Sequence, residues 1–225
     1  MIKIEKNPFK WPLPVIAMIL MWCTDLFFNL PSFLLIPDDM PPFTPFTNYH
    51  SDLGNFMTLN RRNFANSFIG AQFYNTGQVW MGLTIILFAG GLYFLYTEKK
   101  LQKYLVIIGQ VFGILAGIAL VMNGIFSEDT GEPHSFWSMV IFASIIGAEL
   151  FINIGILLNP KFKKFIAYFG FATMAMSAIL LFLYLPPALN YFMEFIAIYI
   201  AETWITLLAL NIFYNEVWKK ESKEI

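Results

Sequence analysis

The 225-residue chain is 58% hydrophobic and only 13% charged, with a net charge of −1. A soluble domain carries about a quarter charged residues, so this composition excludes an ordinary water-soluble domain, and the near-neutral balance gives no electrostatic footprint for nucleic acid. The apolar residues fall in uncharged blocks of roughly 19 to 25, the length of a helix that crosses about 30 Å of hydrocarbon, and these blocks use most of the chain. The expectation is an all-α polytopic membrane protein: one integral membrane domain over residues 1–225, built as a six-transmembrane-helix bundle.

Helix one is expected over residues 12–36. Pro12 and Pro14 suit a helix start, and Pro31 predicts a kink near the other end. Lys3 to Trp11 followed by an apolar run has the look of a signal peptide, but no small-residue cleavage site follows, so the segment reads as the first membrane helix. Cys23, the single cysteine, lies inside this helix and reads as a small packing residue. A long loop over 37–77 follows. Pro37, Pro41, Pro42 and Pro45 keep its first part non-helical, whereas Phe64, Phe68 and Ala71 recur at helical spacing and predict a short interfacial helix within Asn60 to Asn75.

Helix two is expected over 78–97 and helix three over 104–126. Gly109, Gly113 and Gly117 form a small-residue ridge along helix three, a device for close helix approach in lipid. The ridge predicts a homo-oligomer contact. Helix four covers 135–158, helix five 165–185, ended by Pro186 and Pro187, and helix six 191–217. Lysines 3, 6 and 10, 99, 100 and 103, 161, 163 and 164, and 219, 220 and 223 all fall on one side of such a bundle. The positive-inside rule makes that side cytoplasmic. Both termini are therefore expected in the cytoplasm, in a cell-membrane protein whose long loop faces outward.

Two polar constellations stand out. On the outer face, His50 and Asp52 from the long loop are expected to lie near Glu128, Asp129, Glu132 and His134 from the loop between helices three and four. His50, Asp52, Asp129 and His134 together have the donor types for a divalent metal that activates water. Their spacing matches no metal signature, and solvated loop residues and helix caps are the simpler account. Within the bilayer, Asp25, Glu149 and Glu202 fall near the middle of helices one, four and six, and no lysine or arginine lies in any span. A carboxyl there needs a proton, a hydrogen-bond partner such as Asn29, Asn153, Gln110 or Thr206, or access by water or a cation.

Two motifs occur together. Ser51-Asp52-Leu53-Gly54-Asn55 precedes Tyr74-Asn75-Thr76-Gly77, and Gly124-Ile125-Phe126-Ser127-Glu128-Asp129 precedes His134-Ser135. Their order and placement resemble an uncharacterised six-helix membrane family of archaea and bacteria, domain of unknown function 998, which is grouped with DRAM/Frag-like membrane proteins. Ser127 stands where that family usually has proline. The resemblance implies a six-helix fold with motifs at the outer helix ends and a link to membrane lipid, and it implies no reaction.

The leading functional expectation is a non-enzymatic protein. Its outward-facing polar pocket, capped by the long loop, binds a lipid headgroup or small polar ligand without a resident cofactor. His50, Asp52, Asn55, Asp129 and His134 are its candidate ligand residues, with Arg61 and Arg62 as contacts for phosphate or carboxylate. Asp52 and Asn55 are expected to pin the loop to the corner between helices three and four. One alternative is a metal-dependent lipid hydrolase using His50, Asp52, Asp129 and His134. Another is a proton- or cation-coupled transporter using Asp25, Glu149 and Glu202.

Overall fold

A computed structural model describes residues 10–56 and 64–218. Among these residues six helices are long and apolar enough to cross a membrane: α1 Leu13–Leu34, α2 Phe68–Leu95, α3 Lys100–Ile125, α4 Glu132–Leu158, α5 Lys164–Phe182 and α6 Pro187–Trp218. Each packs on its neighbours in sequence, and α6 returns to α1, so the six close into a ring.

The expected spans hold to within a few residues except for α2, which starts at Phe68 instead of residue 78. The hydropathy signal misses this first part because Gln72, Asn75, Thr76 and Gln78 are polar. The structure turns Tyr74, Asn75 and Gln78 inward and starts the helix with a side-chain cap: Ser67 Oγ accepts from the Gly70 N–H at 3.0 Å. From Phe68 onward the expected interfacial helix is therefore the first turns of a membrane span. Its earlier residues up to 63 lie outside the described segments.

Pro31 acts on α1 as expected, although by a change of helical register. It brings no N–H and crowds the Phe27 carbonyl. Residues Asp25–Asn29 form a π-turn in which the Leu30 N–H bonds to the Asp25 carbonyl. The wider turn places Asp25 and Asn29 on one side of the helix, where Asn29 Nδ2 donates to Asp25 Oδ1 at 2.6 Å.

The glycine ridge on α3 is occupied within the chain. A Cβ on Gly109 would meet Ile152 Cγ1 at 2.5 Å on α4, one on Gly113 would meet Ala89 at 2.9 Å on α2, and one on Gly117 would meet the Gly82 carbonyl oxygen at 2.6 Å, also on α2. Ridges of small residues let backbones approach where lipid gives no hydrophobic drive. Here they draw α3 onto its own neighbours, α4 at Gly109 and α2 at Gly113 and Gly117.

The two ends of the bundle differ. At one end the described termini meet: the rings of Trp11 and Phe213 lie 5.3 Å apart. Asn211 Oδ1 accepts from the Lys163 N–H and Asn215 Nδ2 donates to the Lys161 carbonyl. Asn159 Nδ2 and Gln102 Nε2 both donate to the Leu95 carbonyl, and Lys164 Nζ caps the carbonyls of Ile156, Leu157 and Asn159 at the end of α4. Above this lysine-rich end lies the packed core, with Leu92, Leu95, Val106, Ile152, Ile156 and Leu208 among its members. The other end carries residues 35–56 and 64–67, folded across the bundle as a lid.

Candidate functional site

The lid is built from its motif outward. His50–Gly54 forms a single 3-10 turn. Asp52 is fully buried, and its Oδ2 accepts from the Tyr49 N–H at 2.9 Å, closing the start of the turn as an N-cap does for a helix. Gly54 follows because the chain runs against α2: Asn75 Nδ2 donates to its carbonyl at 3.0 Å, and a Cβ there would sit 2.4 Å from Asn75 Oδ1 and 2.9 Å from Tyr74 Cδ1. Asn55 and Asn66 join the two strands of the lid. The Asn66 N–H bonds to the Asn55 carbonyl, Asn55 Nδ2 bonds to the Phe64 carbonyl, and Asn66 Nδ2 reaches both Leu53 and Ser32 at the end of α1.

His50 is the lid's deepest contact. Its ring is buried, with Nδ1 3.0 Å from the Tyr74 hydroxyl on α2 and Nε2 3.2 Å from the Tyr199 hydroxyl on α6. Its backbone N–H donates to Glu194 Oε2 at 3.1 Å. Burial pushes the imidazole down from its usual 6.5 to about 4. A neutral imidazole has one donor and one acceptor nitrogen, so one tyrosine hydroxyl accepts from the ring and the other donates to it.

The expected link between the lid and the α3–α4 corner exists, through different atoms. The lid's Phe56 N–H donates to Asp129 Oδ1 at 3.1 Å, whereas the bonds of Asp52 and Asn55 described above stay within the lid. At the corner Ser127 Oγ bonds to the other Asp129 oxygen. His134 turns back on its own corner, with Nδ1 2.8 Å from the Phe126 carbonyl oxygen and Nε2 3.1 Å from Glu128 Oε2. His50, Asp52, Asp129 and His134 thus have separate partners. Among the described residues no three histidine, cysteine, aspartate or glutamate side chains gather as a metal-binding group. Arg61 and Arg62 lie outside the described residues.

Below His50 a polar seam runs between α6 and α1. Asn190 donates to the Tyr49 hydroxyl, Glu194 accepts from the His50 N–H, Glu202 lies beside Asp25, and Thr206 accepts from Trp22 Nε1. Asn190 and Glu194 are four residues apart on α6, as are Glu202 and Thr206, so each pair shares a face of the helix. That spacing was visible in the sequence, yet only Glu202 was singled out as a site residue. Tyr199 gave no signal, because a tyrosine in a span is ordinary until its partners are known, whereas Asn29 was expected as a partner for a carboxyl and Tyr74 stood in a motif.

The seam and the lid border a cavity of about 130 Å3 in the lid-side half of the ring. Most of its wall is apolar, from Met81, Ile85, Leu120, Ile145 and Ile198. Its polar rim includes Asn29, His50, Tyr74, Glu149 and Glu202, and its floor is formed by core residues such as Leu92 and Ile152. A second cleft of about 420 Å3, lined by Trp22, Asp25, Leu26, Phe33, Phe195 and Tyr199 among others, opens between α1 and α6. Asn29 and His50 border both spaces. Leu26 and Phe33 are exposed on the surface that faces lipid, so the cleft opens sideways toward the bilayer.

The intramembrane carboxyls divide between these spaces. Glu149 is buried, and its Oε1 accepts from Thr173 Oγ1 at 2.6 Å while Oε2 has no partner. Asn29 Oδ1 is likewise buried without a hydrogen bond, and Asp25 Oδ2 and Glu202 Oε2 are buried with no donor besides a proton shared between the two carboxyls. Buried polar atoms normally find a partner; here Asn29, Glu149 and Glu202 border the cavity and Asp25 borders the cleft beside it.

The family model described as Protein of unknown function (DUF998) matches residues 30–211. The chain belongs to that family. No curated protein and no solved structure matches it.

Proposed function

We propose that this member of the DUF998 family is a non-enzymatic binding protein for a membrane amphiphile. The ligand's chain lies in the apolar cavity, and its polar head rests on the seam beneath the lid. The observation that carries this reading is the apolar-walled cavity with bare oxygens at its rim, joined at Asn29 and His50 to a cleft open toward lipid. Ligand sites are characteristically apolar with a few convergent polar groups. The relation to DRAM/Frag-like proteins belongs to the same proposal. It rests on the six-helix plan and points to membrane lipid.

Ala116 and Ala201 line the cavity from α3 and α6 and are buried. The double substitution Ala116→Phe and Ala201→Phe fills that space. Native mass spectrometry of protein released from nanodiscs is expected to show a co-purifying lipid on the parent chain and its loss from the variant. Equal lipid on both, or none on the parent, removes the proposal.

The lid faces outward and the lysine-rich end faces the cytoplasm in this reading, supported by the grouping of Lys99, Lys100, Lys103, Lys161, Lys163 and Lys164 with the described chain ends. Asp38, exposed in the lid, tests it. In a Cys23→Ser background, Asp38→Cys is expected to react with a membrane-impermeant maleimide added to whole cells. Labelling only after the cells are opened reverses the orientation.

A transporter using Asp25, Glu149 and Glu202 is the second reading, favoured by the unpartnered oxygen on each of the three carboxyls. Its weakness is the packed core closing the lysine-rich end, which leaves the carboxyls reachable from the lid side and the seam alone.

A further inference from the structure

The bare atoms of the cavity and the cleft share one chemical property. Asp25 Oδ2, Asn29 Oδ1, Glu149 Oε2 and Glu202 Oε2 are all oxygens. Asn29 is held in this sense because its amide nitrogen is committed to Asp25 Oδ1. Glu202 and Glu149 are both more than nine-tenths buried and both line the cavity. The described residues lining the cavity and the cleft include no lysine or arginine. Two carboxyl groups, Asp25 and Glu202, stand side by side across the α1–α6 seam. The π-turn in α1 is what brings Asp25 and Asn29 to that seam together. Groups with this pattern are matched by a partner that carries positive charge and several N–H donors. The cleft beside them opens toward hydrocarbon, and the cavity wall behind Glu202 is apolar.

We propose that the Asp25–Glu202 pair, completed by Asn29, seats the ammonium head of a long-chain primary amine that enters sideways between α1 and α6. A primary ammonium offers three N–H donors, enough for Asp25, Glu202 and Asn29 together. Its chain occupies the cavity between α2, α3, α4 and α6. This assignment rests on the binding reading above and names the ligand's charge class.

The test compares tetradecylamine, tetradecanol and tetradecanoate on the full-length protein in detergent, titrated by displacement of a fluorescent lipid. The parent is expected to bind the amine at least about tenfold more tightly than the alcohol, a difference of about 1.4 kcal/mol, and to bind the carboxylate most weakly. Asp25→Asn and Glu202→Gln, singly and together, are expected to erase the amine preference, and continued displacement by the alcohol shows that the variants fold. Equal binding of all three probes by the parent overturns the amine assignment and leaves the cavity reading standing. Failure of every probe to displace the lipid overturns both. A thermal shift by sodium or potassium chloride alone, lost in the double variant, makes the pair an inorganic cation site and overturns the amine assignment.

Discussion

Gly117→Val is expected to prevent stable assembly of the bundle. A Cβ at residue 117 would lie 2.6 Å from the Gly82 carbonyl oxygen and 3.1 Å from the Ile86 backbone nitrogen, and the reciprocal Cβ on Gly82 would lie 2.5 Å from the Gly117 carbonyl oxygen. Both neighbours are backbone, so no rotamer change relieves the clash, and α2 and α3 must separate. Overpacking costs roughly 1–3 kcal/mol where side chains can yield. A backbone clash sits at or above the top of that range, and the separation also opens the cavity wall. Thermal unfolding in detergent, followed by tryptophan fluorescence, reads the loss. Gly90 provides the control. It lies on α2, as Gly82 does, with nothing within 4 Å of a built Cβ, so Gly90→Ala is expected to be neutral or to stabilise by up to about 1 kcal/mol. A parent-like melting temperature for Gly117→Val sinks the claim that the ridge is an intramolecular contact.

His50→Phe is expected to loosen the lid and to remove its response to acid. The phenyl ring fills a similar volume but leaves the Tyr74 and Tyr199 hydroxyls without their ring partner. Each unsatisfied buried hydroxyl costs about 1–3 kcal/mol. The sign of the pH effect follows from where the proton binds. The docked imidazole titrates near 4 and the free one near 6.5, so between those values the undocked lid takes up the proton and the docked lid does not. Lid stability is complete above pH 6.5 and falls as pH drops toward 4. The loss is on the order of 3 kcal/mol, at about 1.4 kcal/mol per pH unit. The groups facing the ring are Tyr74 from α2 and Tyr199 and Glu194 from α6, with Asp52 on the same turn. Hydrogen exchange over residues 44–56, measured from pH 7 to pH 4.5, is expected to accelerate in the parent beyond the intrinsic trend. In His50→Phe it should be fast throughout, with no further acid step. An acid step that persists in the variant assigns the effect to another group.

Much of this was legible in the chain. Six spans follow from the apolar blocks, and Ser51 to Asn55 stood out as a motif before its contacts were known. Asp52 was expected as a pin and is one, although its bonds are to Tyr49 and Asn48 and not to the α3–α4 corner. The corner is reached through Asp129 and the Phe56 backbone, and a backbone donor leaves no trace in residue identity. The start of α2 was misplaced because hydropathy counts Gln72, Asn75 and Thr76 as polar and cannot know that Asn75 bonds to the lid. The four residues offered as an alternative metal set share an end of the bundle, and each side chain there faces a partner of its own.

The sequence alone therefore determined the number of crossings, the end that gathers the lysines and the identity of the buried carboxyls. These depend on hydrophobicity and charge summed along a local stretch. Only the tertiary structure decided which face of each helix turns inward, because that depends on rotation about the helix axis. It set the glycines of α3 against α2 and α4 and put Asp25 beside Glu202, 177 residues further along the chain. It also joined His50 to a tyrosine 149 residues away. That partnership converts a loop histidine into the latch of a lid, and no local pattern could carry it.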